Sequence, residues 1–435
     1  MSVGSMLSDL LSQASESKNY VIRETGIDRS TFYQILRGNR VATEDQIERI
    51  CEYIHPDAAT YGKLIDCYEE ERVDAKTYQN RQYVKQFFNS LSEEETTGRH
   101  TREGQQIAAF LERETAAGAE RFRLFLPSIS RRTTDVFQAM ENSAPDNEKA
   151  PEIFQLLAEE SSRRGAAGKY PKFKDWFFHL KGKTIRFHAY SLGKPMTGLN
   201  TVAFPYYIIG GTGMLLISYN EKQIVEVQDP GIVNAYRDNF DHILKDGEEI
   251  ASTETDYISI MQFFYRNWLT IGREPVYLLT PRPCAWLCST DEMVRKYMQE
   301  EEFVSYGQTF RNLNVREFTT QNGMEAFFMD SRIHEAGVDL RIDPEDMKKV
   351  RETINEHRDR ITFLLDDRRV RVHKEWQMFL IGRQAAVFVP YERTNYMICF
   401  TNRDVVDPLA DWFESRVTSL NNDIIRKRVR EKTIA

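Results

Sequence analysis

Apolar residues in the first seventy positions recur at helical spacing. Leu7, Leu10 and Leu11 predict a helix over about 6–17. A short helix is predicted over 20–25, with Asn19 as its N-cap. Gly26 permits the positive φ at which that helix stops, and Ile27 is the apolar residue of the turn. Asp28 reads as the next cap, before a third helix over 29–37 that buries Phe32, Ile35 and Leu36 and ends at Gly38-Asn39. Thr43-Glu44-Asp45-Gln46 has the form of a capping box. The fourth helix it starts carries Ile47, Ile50, Cys51 and Ile54 and stops at His55-Pro56; a fifth follows from Asp57. Two short helices across a glycine turn, flanked by three more, have the geometry of a helix-turn-helix.

Beyond residue 70 the pattern is first helical, with Tyr78, Tyr83, Val84, Phe87, Phe88 and Leu91 as an aromatic-rich stripe that suits a core or a dimer seam. Residues 92–104 are polar and read as a linker, followed by a helix through Ile107–Leu111. From about Arg121, short apolar runs predict strands over 122–126, 184–189, 202–209, 213–218 and 224–227, with helices over 133–140 and 231–244. An internal repeat is also visible. The segment from Tyr207 through Ile224 to Phe240 is matched by the segment from Phe379 through Tyr396 to Phe413, at an offset of 172 that becomes 173 after Cys399. The expected architecture is an all-α helix-turn-helix domain over 1–70 and a helical connector over 71–118. A duplicated α/β (α+β) region follows, with halves at 119–250 and 251–435.

A chain of 435 residues has material for two or three domains at roughly 150 residues each. No apolar run reaches the ~18 residues of a membrane span, and the first residues lack the regions of a signal peptide, so a cytoplasmic protein without a membrane partner is expected. Five scattered cysteines exclude a disulfide framework; Cys284 and Cys288 lack the second ligand pair of a zinc site, and neither metal nor cofactor is expected. The net charge of −8 argues against indiscriminate nucleic-acid binding. Locally the sign reverses. From Lys18 to Arg40 there are five positive side chains (Lys18, Arg23, Arg29, Arg37, Arg40) against Glu24 and Asp28. The tail from Arg416 to Ala435 is also basic, which suits either a solvated helix or contact with DNA or an acidic partner.

The stretch Tyr20-Val21-Ile22-Arg23-Glu24-Thr25-Gly26-Ile27-Asp28-Arg29-Ser30-Thr31-Phe32-Tyr33-Gln34-Ile35-Leu36-Arg37-Gly38-Asn39-Arg40 resembles the core of the Xre/Cro/lambda-repressor group. The Thr-Gly-Ile turn, the Ser-Thr pair and the Arg-Gly-Asn-Arg exit carry the likeness, which spans about 55 residues; the family usually has Ala where this chain has Ile22 or Arg23. The resemblance implies a bacterial-type, dimeric transcriptional regulator whose third helix enters the major groove of double-stranded DNA. Arg29, Ser30, Thr31, Tyr33, Gln34 and Arg37 form its exposed face, where Arg suits guanine and Gln suits adenine. Asn19, Asn39 and Arg40 are placed for phosphates, and Lys18 is counted with the DNA-binding residues. The alternative for all ten is a solvated polar surface.

The repeated region resembles the pseudo-twofold halves of the phospholipase D-like fold, on pattern rather than motif. Catalysis there requires His-x-Lys and a following Asp. His179-Leu180-Lys181 is present, but residue 186 is Arg and the second half has no such motif, so a non-catalytic copy that senses a ligand or dimerises is expected. Gly210-Gly211-Thr212-Gly213 reads as a hairpin turn rather than a phosphate loop, and Asp366-Asp367-Arg368-Arg369 as a charged turn. The competing functions are a phage-type repressor or antitoxin-like protein that binds a protein partner, and a phospholipase D-like nuclease.

Overall fold

The computed structural model describes residues 2–14, 17–91, 101–127, 130–143, 151–158, 177, 180–181, 185–193, 196–299, 301–335, 338–357, 361–365, 372, 374–391 and 396–417. His179, the 366–369 charge cluster, most of the polar linker and the tail beyond 417 lie outside them. Contacts divide the chain into two compact units: Met1–Ser90, Phe363–Val372 and Asp411–Ala435 form one, and Leu91–Thr362 with His373–Ala410 the other.

The first unit is helical: α1 Val3–Gln13, α2 Lys18–Thr25, α3 Arg29–Leu36, α4 Glu44–Ile54, α5 Ala58–Arg72 and α6 Ala75–Ser90. Helix α1 starts earlier than its leucines suggested, because Ser2 caps it by accepting from the Ser5 N–H. Burial of Val3, Leu7, Leu11, Val21, Phe32, Ile35, Ile47, Ile50 and Leu64 builds one core. The Val3 N–H donates to Glu71 at 2.8 Å, which ties the start of α1 to the end of α5. The aromatic stripe of α6 is core: Phe88 meets Trp412 edge-on at 5.2 Å. Arg416 lies over the Trp412 ring and forms an ion pair with Glu69 at 2.7 Å. The basic tail thus begins with a cation that serves packing.

The second unit contains α7 Arg102–Ala116, β1 Arg121–Leu126, α8 Arg131–Ser143, β2 Glu152–Leu157, β3 Arg186–Ser191, β4 Tyr206–Ile209, β5 Met214–Ile217, β6 Ile224–Val227, α9 Pro230–Leu244 and β7 Glu248–Glu254. It continues with α10 Tyr257–Thr270, β8 Pro275–Leu279, α11 Ala285–Cys288, α12 Asp291–Met298, α13 Glu301–Arg311, β9 Asn314–Thr320, α14 Gln321–Asp330, the hairpin β10 Arg332–Glu335 with β11 Val338–Arg341, and α15 Pro344–His357. Strands β12 Thr362–Leu365, β13 Trp376–Ile381, β14 Ala385–Pro390 and β15 Met397–Phe400 complete the sheet, and a helix, α16, runs over 403–417; β12 from Phe363 and α16 from Asp411 are counted with the first unit. The expected strand at 202–209 is shorter, because 199–201 form a 3-10 turn and Val202 stays half exposed.

One mixed sheet of thirteen strands has the order β12-β9-β8-β13-β14-β15-β7-β3-β2-β1-β4-β5-β6. That order contains a repeated topology. The six strands β3-β2-β1-β4-β5-β6 repeat as β12-β9-β8-β13-β14-β15. In each half a central strand, β1 or β8, has a parallel neighbour on one side and an antiparallel meander on the other. Hydrogen-bond register also corrects the repeat. Tyr207 lies opposite Leu216 and Phe379 opposite Val387, so the offset of 172 drops to 171 across the second meander strand. Leu216 in turn faces Val225 and Val387 faces Cys399, an offset of 174. The turn after β13 is one residue shorter than Gly210–Gly213, and the following loop is longer. A one-residue slip exchanges the two faces of a strand, so backbone pairing outranks side-chain likeness in matching the halves.

The two meander turns share a device. Glu114 of α7, itself buried, accepts from the Thr212 N–H at 2.6 Å and the Thr212 hydroxyl at 2.8 Å. Glu274, just before β8, accepts from the Arg383 N–H at 3.2 Å. The glycines are required by this approach: a Cβ on Gly210 would stand 2.6 Å from the Glu114 carboxylate. Gly210-Gly211-Thr212-Gly213 is a turn closed by the Gly210 N–H and the Gly213 carbonyl, with its amides turned to a carboxylate of its own chain.

Candidate nucleic-acid interface

The turn between α2 and α3 is built from local chemistry. Gly26 sits at φ 63°, a left-handed conformation that ends α2 without a Cβ clash. The Thr25 hydroxyl donates to the Val21 carbonyl at 2.7 Å, and Ile27 turns inward to 5% exposure. Asp28 accepts from the Thr31 N–H at 3.0 Å and so starts α3. Arg49 of α4, paired with Asp45, donates to the Thr25 carbonyl at 3.1 Å and fastens the end of α2. The cap of α2 is Ser17, which accepts from the Tyr20 N–H, not Asn19. The helix begins two residues earlier than expected because a serine hydroxyl is available there, and Asn19 stands exposed in its first turn.

Helix α3 ends in a Schellman motif: the Asn39 N–H reaches the Gln34 carbonyl and the Gly38 N–H the Ile35 carbonyl, both at 2.9 Å, with Gly38 at φ 71°. Gly4 of α1 backs this end closely, since a Cβ there would stand 2.2 Å from the Ile35 carbonyl oxygen. The orientation of α3 is therefore set at both ends and along its buried face.

Phe32 and Ile35 are buried, whereas Leu36 is half-buried at the margin of the core. The opposite face carries Arg29, Ser30, Tyr33, Gln34 and Arg37, which share one stripe at helical spacing. Arg29, Ser30, Gln34 and Arg37 are exposed, and Thr31 and Tyr33 are half-buried. The Arg29 guanidinium lies 6.0 Å from the centre of the Tyr33 ring. Arg40 donates to the Thr31 hydroxyl at 3.1 Å, which folds the exit loop back onto the start of α3. Asn39 and Arg40 are exposed, and Lys18 half-exposed at the start of α2. Arg23 is turned to its neighbour Glu24 at 2.8 Å, so one of the five cations of this face is neutralised locally. Lys18, Arg29, Arg37 and Arg40 enter no ion pair among the described residues.

The second unit uses its polar residues inwardly. Glu317 of β9 is fully buried, accepts from the Cys284 N–H at 2.5 Å and the Thr362 hydroxyl at 2.7 Å, and is raised by burial to about 7. Gln155 of β2, equally buried, donates toward the Thr133 hydroxyl at 3.3 Å. Sequence reading passed over both, since a lone acid or amide within an apolar strand carries no motif. Arg186 stands where a nuclease of the resembled fold would need an acid, and it pairs with Glu152 at 2.8 Å. Lys181 donates to the Leu91 carbonyl at 2.6 Å. Among the described residues no cluster of three metal-ligating side chains occurs, and no helix is long and apolar enough to cross a membrane. No protein-family model matches the chain, and no curated protein matches it.

Proposed function

We propose that the protein is a sequence-specific, double-stranded-DNA-binding transcriptional regulator of the Xre type that acts as a homodimer. In this reading the sheet unit is a sensing or dimerisation region and not an enzyme. The observation that carries it is the stripe of exposed Arg29, Ser30, Gln34 and Arg37 with half-buried Tyr33, on a helix whose opposite face and both ends are fixed. A side chain that reads base edges needs a rigid mount, and the glycine turn and Schellman exit supply one. Arg29 has the paired donors to read guanine bidentately, and Gln34 the donor and acceptor to read adenine. Lys18, Asn19, Asn39 and Arg40 flank the stripe as phosphate contacts and set the position along the duplex. One recognition helix covers too few base pairs for genomic selectivity, and two half-sites about one helical turn apart multiply it.

The test is selection of a binding site from random DNA, followed by titration of Arg29→Ala and Gln34→Ala. Each variant is expected to lose ~1–3 kcal/mol, about 5- to 150-fold in affinity, and to relax preference at one base position. Unchanged affinity and preference in both would remove α3 as the reading helix.

A further inference from the structure

Strand β6 ends the sheet among the described residues, and Val225 in it is 45% exposed. The duplicated half shows what belongs beside such a strand. Its counterpart β15 is fully buried and is covered by the antiparallel strand β7, Met397 facing Glu254 and Phe400 facing Ala251. Strand β7 immediately precedes α10 and β8 in the chain. The stretch at that place in the first half, before α7 and β1, is 92–100, which has no apolar side chain to set beside Val225. We propose that the edge is filled by a second copy of this chain, β6 against β6 in antiparallel register, with Val225 of each copy opposite Val225 of the other. The proposal rests on the reading of the protein as a dimer and assigns its seam.

The register follows from backbone phase and symmetry. The Gln223 carbonyl accepts from the Ser218 N–H at 2.9 Å, so residues 223, 225 and 227 turn their backbone groups toward β5. Ile224 and Glu226 then direct theirs outward, because the direction alternates along a strand. A twofold axis perpendicular to a sheet preserves its faces, so the axis must pass beside a residue that meets its own copy. Centred on Glu226, the pairing would oppose two carboxylates. Centred on Ile224, it would need the Lys222 N–H, which is already given to the Asn220 side chain at 3.1 Å. Centred on Val225, it joins the outward N–H and C=O groups of Ile224 and Glu226 in both copies and covers the exposed valine. The Glu226 charge is matched within its own chain by Arg113 at 2.5 Å, so it does not block the approach.

The experiment is cysteine cross-linking of the full chain, with the oligomeric state of each sample read by native mass spectrometry and the wild type as background for its five thiols. In a non-hydrogen-bonded antiparallel pair the Cα atoms stand ~4.5 Å apart, within disulfide reach. Val225→Cys is expected to cross-link nearly completely under mild oxidation. Glu226→Cys, whose copy would lie two pairing positions away and beyond ~7 Å, is expected to stay at background. Val225→Lys and Val225→Asp alone should each weaken dimerisation at least about fivefold, and mixing the two should restore it. A wild-type dimer whose Val225→Cys form does not cross-link, or whose Glu226→Cys form cross-links equally, overturns the seam and leaves dimeric DNA binding standing. A monomeric wild type overturns both.

Discussion

In α3, Arg29, Gln34 and Arg37 stand in solvent on a helix whose other face is Phe32 and Ile35; in β9 and β2, Glu317 and Gln155 are wholly buried and hydrogen-bonded to the ends of neighbouring elements. The same kinds of side chain thus do different jobs in the two units. On the helical unit they are left available, and the backbone beneath them is held by caps, a glycine turn and apolar packing. Within the sheet they are consumed by the fold: Glu317 anchors the turn into α11, and Glu114 closes the β4–β5 turn. Polar groups that remain exposed on a rigid mount are candidates for recognition, and polar groups buried and hydrogen-bonded inside are candidates for structure.

That contrast can be broken most forcefully at Phe32. Truncation of this fully buried ring to alanine removes the support of α3 and is expected to cost ~3–5 kcal/mol, seen in chemical denaturation as a shifted transition of the helical unit. DNA binding should be lost with it, while near-ultraviolet signals of the sheet tryptophans persist. Equal loss of the sheet transition would show that the two units do not unfold separately.

The next effect is a pH dependence that belongs to the sheet. Burial holds the Glu317 carboxyl at about 7 in the folded protein, above its ~4.3 in an unfolded chain. Its contribution to stability is full below the unfolded value and is lost as pH rises through the folded one. Stability of the sheet unit should therefore fall between pH ~4.5 and ~7, by an amount on the order of 3 kcal/mol at ~1.4 kcal/mol per pH unit. Glu317→Gln, which keeps shape and hydrogen bonding but not the titration, should flatten that slope. A slope that persists in this variant would place its origin in another group.

Smaller changes sharpen the recognition side. Lys18→Ala and Arg40→Ala should each weaken binding alike on all sequences and lower the slope of log K against log salt by about one, whereas Gln34→Ala should leave the slope intact and alter base preference. Salt titrations on specific and scrambled duplexes separate the two. The smallest effect is at Thr43, whose hydroxyl and Gln46 form the capping box of α4. Thr43→Ala should cost ~1 kcal/mol, visible as a lower melting temperature of the helical unit with unchanged base preference.

The helices of the first unit were legible because their signals are short-range: Asp28 caps three residues ahead, Gly26 and Gly38 stop helices in place, and Thr43 and Gln46 find each other within one turn. The misplacement at α2 is of the same kind, a choice between Ser17 and Asn19 two positions apart. The repeat of strand pattern was legible as a recurrence of apolar runs, yet its register was not. The lengths of the turns after β4 and β13 set that register, and side-chain likeness led to pairing Leu216 with Phe388 where the sheet aligns it with Val387. The roles of Glu114 and Glu317 were invisible for a related reason, since their partners lie 98 and 45 residues away.

Sequence by itself therefore determined the local architecture: where helices start and stop, which face of α3 is polar, and that an α/β pattern occurs twice. Tertiary structure alone decided the order of the thirteen strands, the exposure of β6 against the burial of β15, and which acids are spent inside. Caps and periodicities act over one turn of chain and are written where they act. Strand neighbours and buried hydrogen bonds join residues far apart, and only the folded backbone brings them together.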